Sequence, residues 1–360
     1  MKRTNARKPA LRRMAGYGLS LLLAMGLLSG CAGGQTADND PEKPEAAKGD
    51  VTLVIGAYSV VKDVFAELLP KFQQEWKDRT GQTVVFQESY EASGTQARSI
   101  IGGFEADVAV LAMDGDLRRI RDAGLITHDW TAGPYKGNIT TSIAVIGTRE
   151  GNPRGIKGWE DLMKPGVRVL YPNPQTSGGA QWDINAIYGA GLKESERQTG
   201  SKDAEFAKGY LERVHANIES LDKSGRASMA AFEYGVGDAI VTYENELIAR
   251  INKGVPYDIV IPDDTILIEN PAAVVDRNVD KHGTREVAEA FLEFLRSEET
   301  QLYLAENGFR PVEPVAAEKV KNDYTTPPGL FDIGYLGGWD EVKKNLYSKR
   351  GVWYQVLAGL

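Results

Sequence analysis

The apolar positions of this chain fall into two repeating patterns. Short runs of β-branched and aliphatic residues alternate with stretches whose apolar positions recur every three or four residues. VTLVIGAY at 51–58 is the first run, and its density of branched residues predicts a strand. Val61, Val64, Phe65, Leu68, Phe72 and Trp76 follow at helical spacing, with Pro70 expected to kink or break that helix. The pattern then predicts a strand at 83–89, a helix at 93–104, a buried strand at 106–112 and a helix at 117–124 ending on Gly124. Further strands are predicted at 140–147, 167–172, 238–245, 257–263 and 272–276, and 284–307 predicts one long amphipathic helix. Strand–helix alternation of this kind implies an α/β fold with mostly parallel sheets covered by helices on both faces. No internal repeat of solenoid length is present.

The N-terminus reads differently. Lys2, Arg3, Arg7, Lys8, Arg12 and Arg13 form a positive segment with no acidic residue, and 16–30 is apolar and small. That stretch is too short for a permanent membrane span but suits a secretory signal. It ends in Leu28-Ser29-Gly30-Cys31, which resembles the lipobox of bacterial lipoproteins. The resemblance implies that Cys31 is diacylated, becomes the first mature residue and anchors the protein on the outer face of a membrane, in the periplasmic space or at the cell surface. An ordinary signal with an unrelated cysteine, or a buried thiol, is the plainer alternative. Cys31 is the only cysteine. If it is acylated, disulfides, thiolate catalysis and cysteine-ligated metals are excluded. Residues 32–50, AGGQTADNDPEKPEAAKGD, contain no large apolar side chain and read as a flexible tether.

The 360 residues carry a formal net charge of −8, and the first thirty contribute six positive charges, so the remaining 330 stand at about −14. That length suffices for two domains with their own cores. The acidity argues against nucleic acid as a partner. It also provides no long-range attraction for an anion, so any anion site must work through local geometry. No second apolar run is long enough to cross a membrane.

Several chemistries are missing. There is no P-loop, no G-x-G-x-x-G and no G-x-S-x-G elbow. His128, His215 and His282 lie far apart, without metal-ligand spacing. What stands out is three Ser/Gly-rich junctions that each open a helical pattern: Glu91-Ala92-Ser93-Gly94-Thr95, Pro174-Gln175-Thr176-Ser177-Gly178-Gly179-Ala180 and Lys223-Ser224-Gly225-Arg226-Ala227-Ser228. A helix N-terminus carries free N–H groups and a partial positive charge, and small residues let an anion approach them. Ordinary N-capping explains any one such junction taken alone. Three suggest a shared site only if the fold brings them together.

The residues that supply such a reason are EASGTQARSIIGGFEADVAVLA (91–112), IKGWEDLMKPGVRVLYPNPQTSGGAQW (156–182), GVGDAIVTYENE (235–246) and LGGW (336–339). With these the chain resembles the sulfate/thiosulfate-binding proteins of bacterial ABC importers over nearly all of 51–345. The resemblance implies the type II periplasmic-binding-protein fold: two α/β lobes joined by two crossovers, with the ligand cleft between them. After a signal peptide at 1–30 and an acylated tether at 31–50, it implies lobe I at 51–139 and 266–310, lobe II at 140–265, and a C-terminal helical segment at 311–360 packing on the lobes. The first crossover would be TSIAVIG, and the return would lie near 262–272.

By the same resemblance, Ser93 is a serine donor of the first lobe, and Ser177, Gly178 and Gly179 are donors of the second. Gly225 offers a backbone N–H before Arg226, and Tyr243 holds an aromatic donor position. Two positions depart from the pattern. Relatives commonly have Ser-Tyr-Asp where this chain has Ala57-Tyr58-Ser59, so Ser59 replaces an acid. Tyr243 stands where sulfate binders have Trp. Arg226 is expected to organise the site or to close the lobes as an ion pair, with direct anion contact as second choice. The expected pocket is rich in donors and rejects hydrogen phosphate for want of an acceptor, unless Tyr243 or Glu244 points inward.

The implied function is a monomeric solute-binding component that delivers sulfate or thiosulfate to an ABC permease and its ATPase, without enzymatic activity, cofactor or metal. The alternatives are the same fold binding another oxyanion, such as molybdate or phosphate, or a small organic acid; an extracytoplasmic enzyme with Ser93 or Ser177 as nucleophile; and a binding protein that signals without feeding transport.

Overall fold

A computed structural model describes residues 49–359. The leader, Cys31 and the tether up to residue 48 lie outside the described residues. Nine strands are arranged as β1 (Val51–Tyr58), β2 (Val84–Glu91), β3 (Val108–Val110), β4 (Asn138–Arg149), β5 (Val169–Pro172), β6 (Ile218–Asp222), β7 (Ala239–Tyr243), β8 (Tyr257–Val260) and β9 (Leu267–Val274). They form one continuous path in the order β2-β1-β3-β9-β4-β7-β5-β6, with β8 also paired to β4.

The path divides at its middle. β1 pairs in parallel with β2 and β3, and β5 pairs in parallel with β6 and β7. Antiparallel pairing is confined to β4, β8 and β9 and their partners. β4 pairs with β9 through 138–143, then with β7 and β8 through 144–149. β9 pairs with β4 through 267–271, then with β3 through 272–274. Each long strand therefore begins in one half and ends in the other. β4 carries the chain out of the first lobe and β9 brings it back, which is the two-lobed, twice-crossed fold expected from the resemblance.

Helices α1 (Lys62–Thr80), α2 (Ser93–Ile101) and α3 (Asp114–Asp122) follow the strands of the first lobe, and α4 (Gly178–Thr199), α5 (Ala204–His215), α6 (Gly225–Glu233) and α7 (Glu244–Ile251) those of the second. After β9 come α8 (Asp276–His282), α9 (Arg285–Leu295), α10 (Glu298–Glu306), α11 (Pro314–Lys319), α12 (Gly338–Asn345) and α13 (Val352–Ala358).

The structure differs from the sequence expectation at α1, at 284–307 and at β6, among other elements. α1 runs through Pro70 without a break, because its buried stripe of Val64, Phe65, Leu68, Leu69, Phe72 and Trp76 continues on both sides. Phe65 and Phe72 meet Phe291 of α9 with ring centroids 6.0 and 5.2 Å apart. Each fully buried ring contributes about 1.5–3 kcal/mol, enough to offset much of the ~3 kcal/mol cost of an interior proline. The single helix expected at 284–307 is two helices. Ser297 interrupts it and caps α10, its Oγ accepting from Thr300 N at 3.3 Å. β6, IESLD, is only partly buried, so it carried no apolar run to betray it.

The C-terminal residues pack onto both crossovers and the second lobe. Arg310 and Thr141 exchange two backbone hydrogen bonds of 2.9 Å, and Phe331 covers Gly189 so closely that a Cβ there would stand 2.2 Å from the ring. Trp353 is buried beside Tyr171 and His215.

Candidate anion-binding cleft

The carboxyl ends of β1, β2, β3, β5, β6 and β7 all point to one place, and the segment leaving each of them enters a helix. Between the lobes these ends line one small cavity. The first lobe contributes Tyr58, Ser59 and Val60 after β1, Ala92 and Ser93 after β2, and Ala112 after β3. The second contributes Pro172, Ser177, Gly179 and Asp183 from β5 and α4, Ser224 and Gly225 at the start of α6, and Thr242, Tyr243 and Glu246 at the start of α7. The three Ser/Gly junctions thus converge, as a shared site requires.

Local hydrogen bonds explain their shape. Asn173 organises the loop before α4: its carbonyl accepts from Thr176 N and Ser177 N at 3.1 and 2.9 Å, and its side chain accepts from Gln175 N at 2.9 Å. Thr176 Oγ1 donates to the Lys223 carbonyl at 2.8 Å, which ties this loop to the start of α6. Ser177 caps α4 by accepting from Ala180 N at 3.3 Å, and Ser224 caps α6 by accepting from Ala227 N at 3.2 Å. Both serines spend lone pairs on capping, and among the described residues neither hydroxyl proton has an acceptor. The N–H groups of Gly179 and Gly225 precede the first intrahelical bond, and no described residue accepts from them.

Two phenols complete the donor set. The hydroxyls of Tyr58 and Tyr243 are buried and have no hydrogen-bond partner. Thr140 and Asn270 approach them from behind, but Thr140 bonds Asn270 at 3.2 Å and Asn270 donates to the Ala112 carbonyl at 3.0 Å instead. Burial pushes both phenols above their usual range, so both keep their protons. A buried hydroxyl without a partner costs about 1–3 kcal/mol, and a ligand oxygen in the cavity would recover it.

The residues expected from the sequence do not all serve alike. Ser59, Ser93, Ser177, Gly179, Gly225 and Tyr243 line the cavity. The Ser93 hydroxyl, however, donates to Asp116 Oδ2 at 2.6 Å and accepts from Ala112 N at 3.0 Å. Its one proton is committed inside the first lobe, so what Ser93 presents to the cavity is the N-terminus of α2. Gly178 lies beside the cavity, not on its wall. A Cβ there would stand 3.1 Å from the Ala112 Cβ and 3.2 Å from both Asp116 Oδ2 and the Ser93 Cβ, so this glycine allows α4 to abut the first lobe. Arg226 does not line the cavity either. It donates to the Ser59 carbonyl at 3.3 Å and to Asp63 Oδ1 at 2.5 Å.

Tyr58, Ser224, Asp183 and Glu246 were not foreseen as site residues, although Ser224 stood within a marked junction. The expected acceptor, Glu244, faces away, held by Arg310 Nε and Nη2 at 2.7 and 3.0 Å. Glu246, two residues further along α7, lines the cavity and pairs with Arg250 at 3.3 Å. Burial raises its carboxyl above the usual range against the pull of Arg250. The wall is therefore not made of donors alone. It carries no Lys, Arg or His. The three histidines are engaged elsewhere: His128 with Asp276, His215 with Tyr171 and His282 with Asp107. Among the described residues no group of His, Cys, Asp and Glu side chains could hold a metal ion, and no helix is long and apolar enough to cross a membrane.

A cage of helix N-termini and hydroxyls without a cation suits a small oxyanion, and comparison with known proteins agrees with that geometry. Residues 53–310 match the family described as bacterial extracellular solute-binding protein. A sulfate-binding protein of Synechococcus elongatus is 41% identical over 316 residues, covering 86% of this chain and 88% of its own. A thiosulfate-binding protein of Pseudomonas aeruginosa is 34% identical, covering 87% and 94%. The solved structure of the sulfate-binding protein SubI from Mycobacterium tuberculosis superposes with a TM-score of 0.74 at 32% identity, covering 84% of this chain and 100% of that one. The chain therefore belongs to the bacterial extracellular solute-binding proteins, within the family of sulfate- and thiosulfate-binding proteins.

Proposed function

We infer that this protein is the extracytoplasmic binding component of a sulfate/thiosulfate ABC importer, and that it releases its anion to the permease when the lobes part. The observation that carries this reading is the convergence of the α2, α4 and α6 N-termini with four uncommitted hydroxyl protons, those of Tyr58, Ser177, Ser224 and Tyr243, on one cation-free cavity. Hydrogen bonds to a charged group are worth about 1.5–3 kcal/mol each. Six donors, counting the N–H groups of Gly179 and Gly225, reach roughly 9 kcal/mol even at the low end, against ~8 kcal/mol for micromolar affinity. The remainder offsets dehydration of a dianion and closure of the cleft.

Closure is how occupancy becomes a signal for the permease. The first lobe comprises 51–139 and 266–310, the second 140–265, and 311–360 packs on both. The lipid on Cys31 and the tether behind it keep the monomer near its transporter and ATPase. Nothing in the cleft supports an enzyme. The Ser177 hydroxyl meets only Ala180 N, and no histidine lines the wall to activate it. Calorimetric titration of the purified protein with sulfate, thiosulfate, molybdate and phosphate tests the reading. One-to-one binding of sulfate or thiosulfate, tighter than that of the other two, supports it. Preference for molybdate or phosphate would overturn it.

A further inference from the structure

Resting on that reading, the structure assigns a further role in the same cavity: Asp183 is a specificity-determining residue that enters the complex as the neutral acid, donating its proton to the bound oxyanion and so coupling anion capture to one proton. Asp183 lies on α4 four residues after Gly179, so both occupy one stripe of the helix, and both line the cavity. Its side chain is 1% exposed, and its Oδ1 has no hydrogen-bond partner.

The groups facing Asp183 do not compensate it. Tyr171 of β5 has its hydroxyl on His215 Nδ1 at 2.5 Å. Tyr347 donates to the Gln181 carbonyl at 3.0 Å and to Asn185 Oδ1 at 2.9 Å. Tyr243 at the end of β7 and Tyr58 at the end of β1 share the cavity with it, both protonated. Glu246 of α7 is the other carboxyl on the wall, and its cation, Arg250, is paired with it and with Glu233. Among the described residues no cation pairs with Asp183. Burial alone pushes its carboxyl well above the usual range. A dianion placed in this cavity would raise it further, since an ionised carboxylate beside it would be both repelled and unbonded. The neutral acid instead supplies an O–H donor to the cavity that it lines.

Sulfate remains a dianion throughout the accessible pH range, so any proton gained on binding must be held by a protein group. The test is a sulfate titration of the full protein and of Asp183→Asn between about pH 5.5 and pH 9.5. The parent should lose affinity as pH rises, approaching about tenfold per pH unit once the free carboxyl ionises. Asp183→Asn keeps a donor but cannot ionise, so its affinity should stay within roughly threefold across the range and exceed that of the parent at the alkaline end. Titration of the parent in two buffers of different ionisation enthalpy provides a measurement independent of the variant's folding. Close to one proton should be taken up per sulfate at the alkaline end. A flat parent profile, no proton uptake, or parallel losses in parent and variant would overturn the role of Asp183 while leaving sulfate binding intact. Absence of sulfate and thiosulfate binding at every pH would overturn both.

Discussion

The guanidinium of Arg226, at the start of α6 in the second lobe, reaches Asp63 at the start of α1 in the first, with Nη2 2.5 Å from Oδ1. Lys253 meets the other carboxylate oxygen at 3.1 Å, and Arg226 Nε also donates to the Ser59 carbonyl at 3.3 Å. Ser59 is a wall residue. One arginine thus ties the cavity wall of one lobe to the helix terminus of the other, and does so without touching the anion's space.

Because that pair is partly exposed, its contribution should be modest. Arg226→Ala is expected to weaken sulfate by no more than about fivefold (~1 kcal/mol), mostly as faster dissociation, with a larger effect at low ionic strength than at high. Burial alone would raise the Asp63 carboxyl, but its bonds to Arg226 and Lys253 outweigh that and hold it below its usual range. The clamp should therefore persist at neutral pH and weaken only as pH falls through that lowered value. Stopped-flow dissociation rates check both statements; a loss of several hundredfold would instead place Arg226 on the anion.

The two glycines that open the second-lobe helices should respond oppositely to a methyl group. At Gly178 it would meet Ala112, Asp116 and Ser93 of the first lobe at 3.1–3.2 Å, whereas at Gly225 its nearest neighbour is Val60 Cγ2 at 3.7 Å. Gly178→Ala is expected to reduce affinity by roughly tenfold or more, about 1.4 kcal/mol, while Gly225→Ala stays within about threefold. Ligand-free melting temperatures of the two variants should be similar, since opening the cleft relieves the clash. Calorimetry alongside thermal melts distinguishes this from simple misfolding.

Tyr243→Phe removes a buried hydroxyl that has no partner among the described residues. The free protein should gain nothing or become slightly more stable, yet sulfate binding should weaken by about 1.5–3 kcal/mol. Opposite signs in melting and affinity identify the hydroxyl as a ligand contact. Equal losses in both would mark it as structural.

A separate pH effect concerns stability. His282 Nδ1 lies 2.8 Å from Asp107 Oδ1, which also accepts from Thr284, and its Nε2 lies 3.2 Å from Glu105. The bond to Asp107 first, and that to Glu105 next, raise the imidazole above its usual value. A histidine whose folded pKa exceeds its unfolded one stabilises fully below the unfolded pKa and loses that contribution as pH rises through the folded value. The stability difference between parent and His282→Gln, measured by urea unfolding, should therefore be largest near pH 5.5 and shrink by pH 8.5. A difference that grows with pH would contradict it.

The helix starts of the site were legible in the chain because an anion cage built from backbone requires small residues at strand-to-helix turns, and such turns are local. Ser177, Gly179 and Gly225 could be read for that reason. Asp183 and Glu246 could not, since their place on the wall depends on how α4 and α7 are rotated once their first residues are fixed. The acceptor of the Ser93 proton was not legible for a similar reason: Asp116 is 23 residues away and becomes a neighbour only when β3 packs beside β1. The first crossing strand was visible as the apolar run 140–147, whereas the first half of β9 was not, because Glu269, Asn270 and Pro271 interrupt it; the break at Ser297 was hidden because apolar positions continue at helical spacing through it.

The cage itself is tested most directly by a crystal structure of the protein with selenate, a sulfate isostere located by its anomalous scattering. The anomalous peak should lie inside the cleft, with selenate oxygens about 2.7–3.2 Å from the N–H groups of Gly179 and Gly225 and from the Tyr243 hydroxyl. A fully occupied selenate elsewhere on the protein with the cleft empty, or one in the cleft held by Arg226 instead of by these donors, would contradict it.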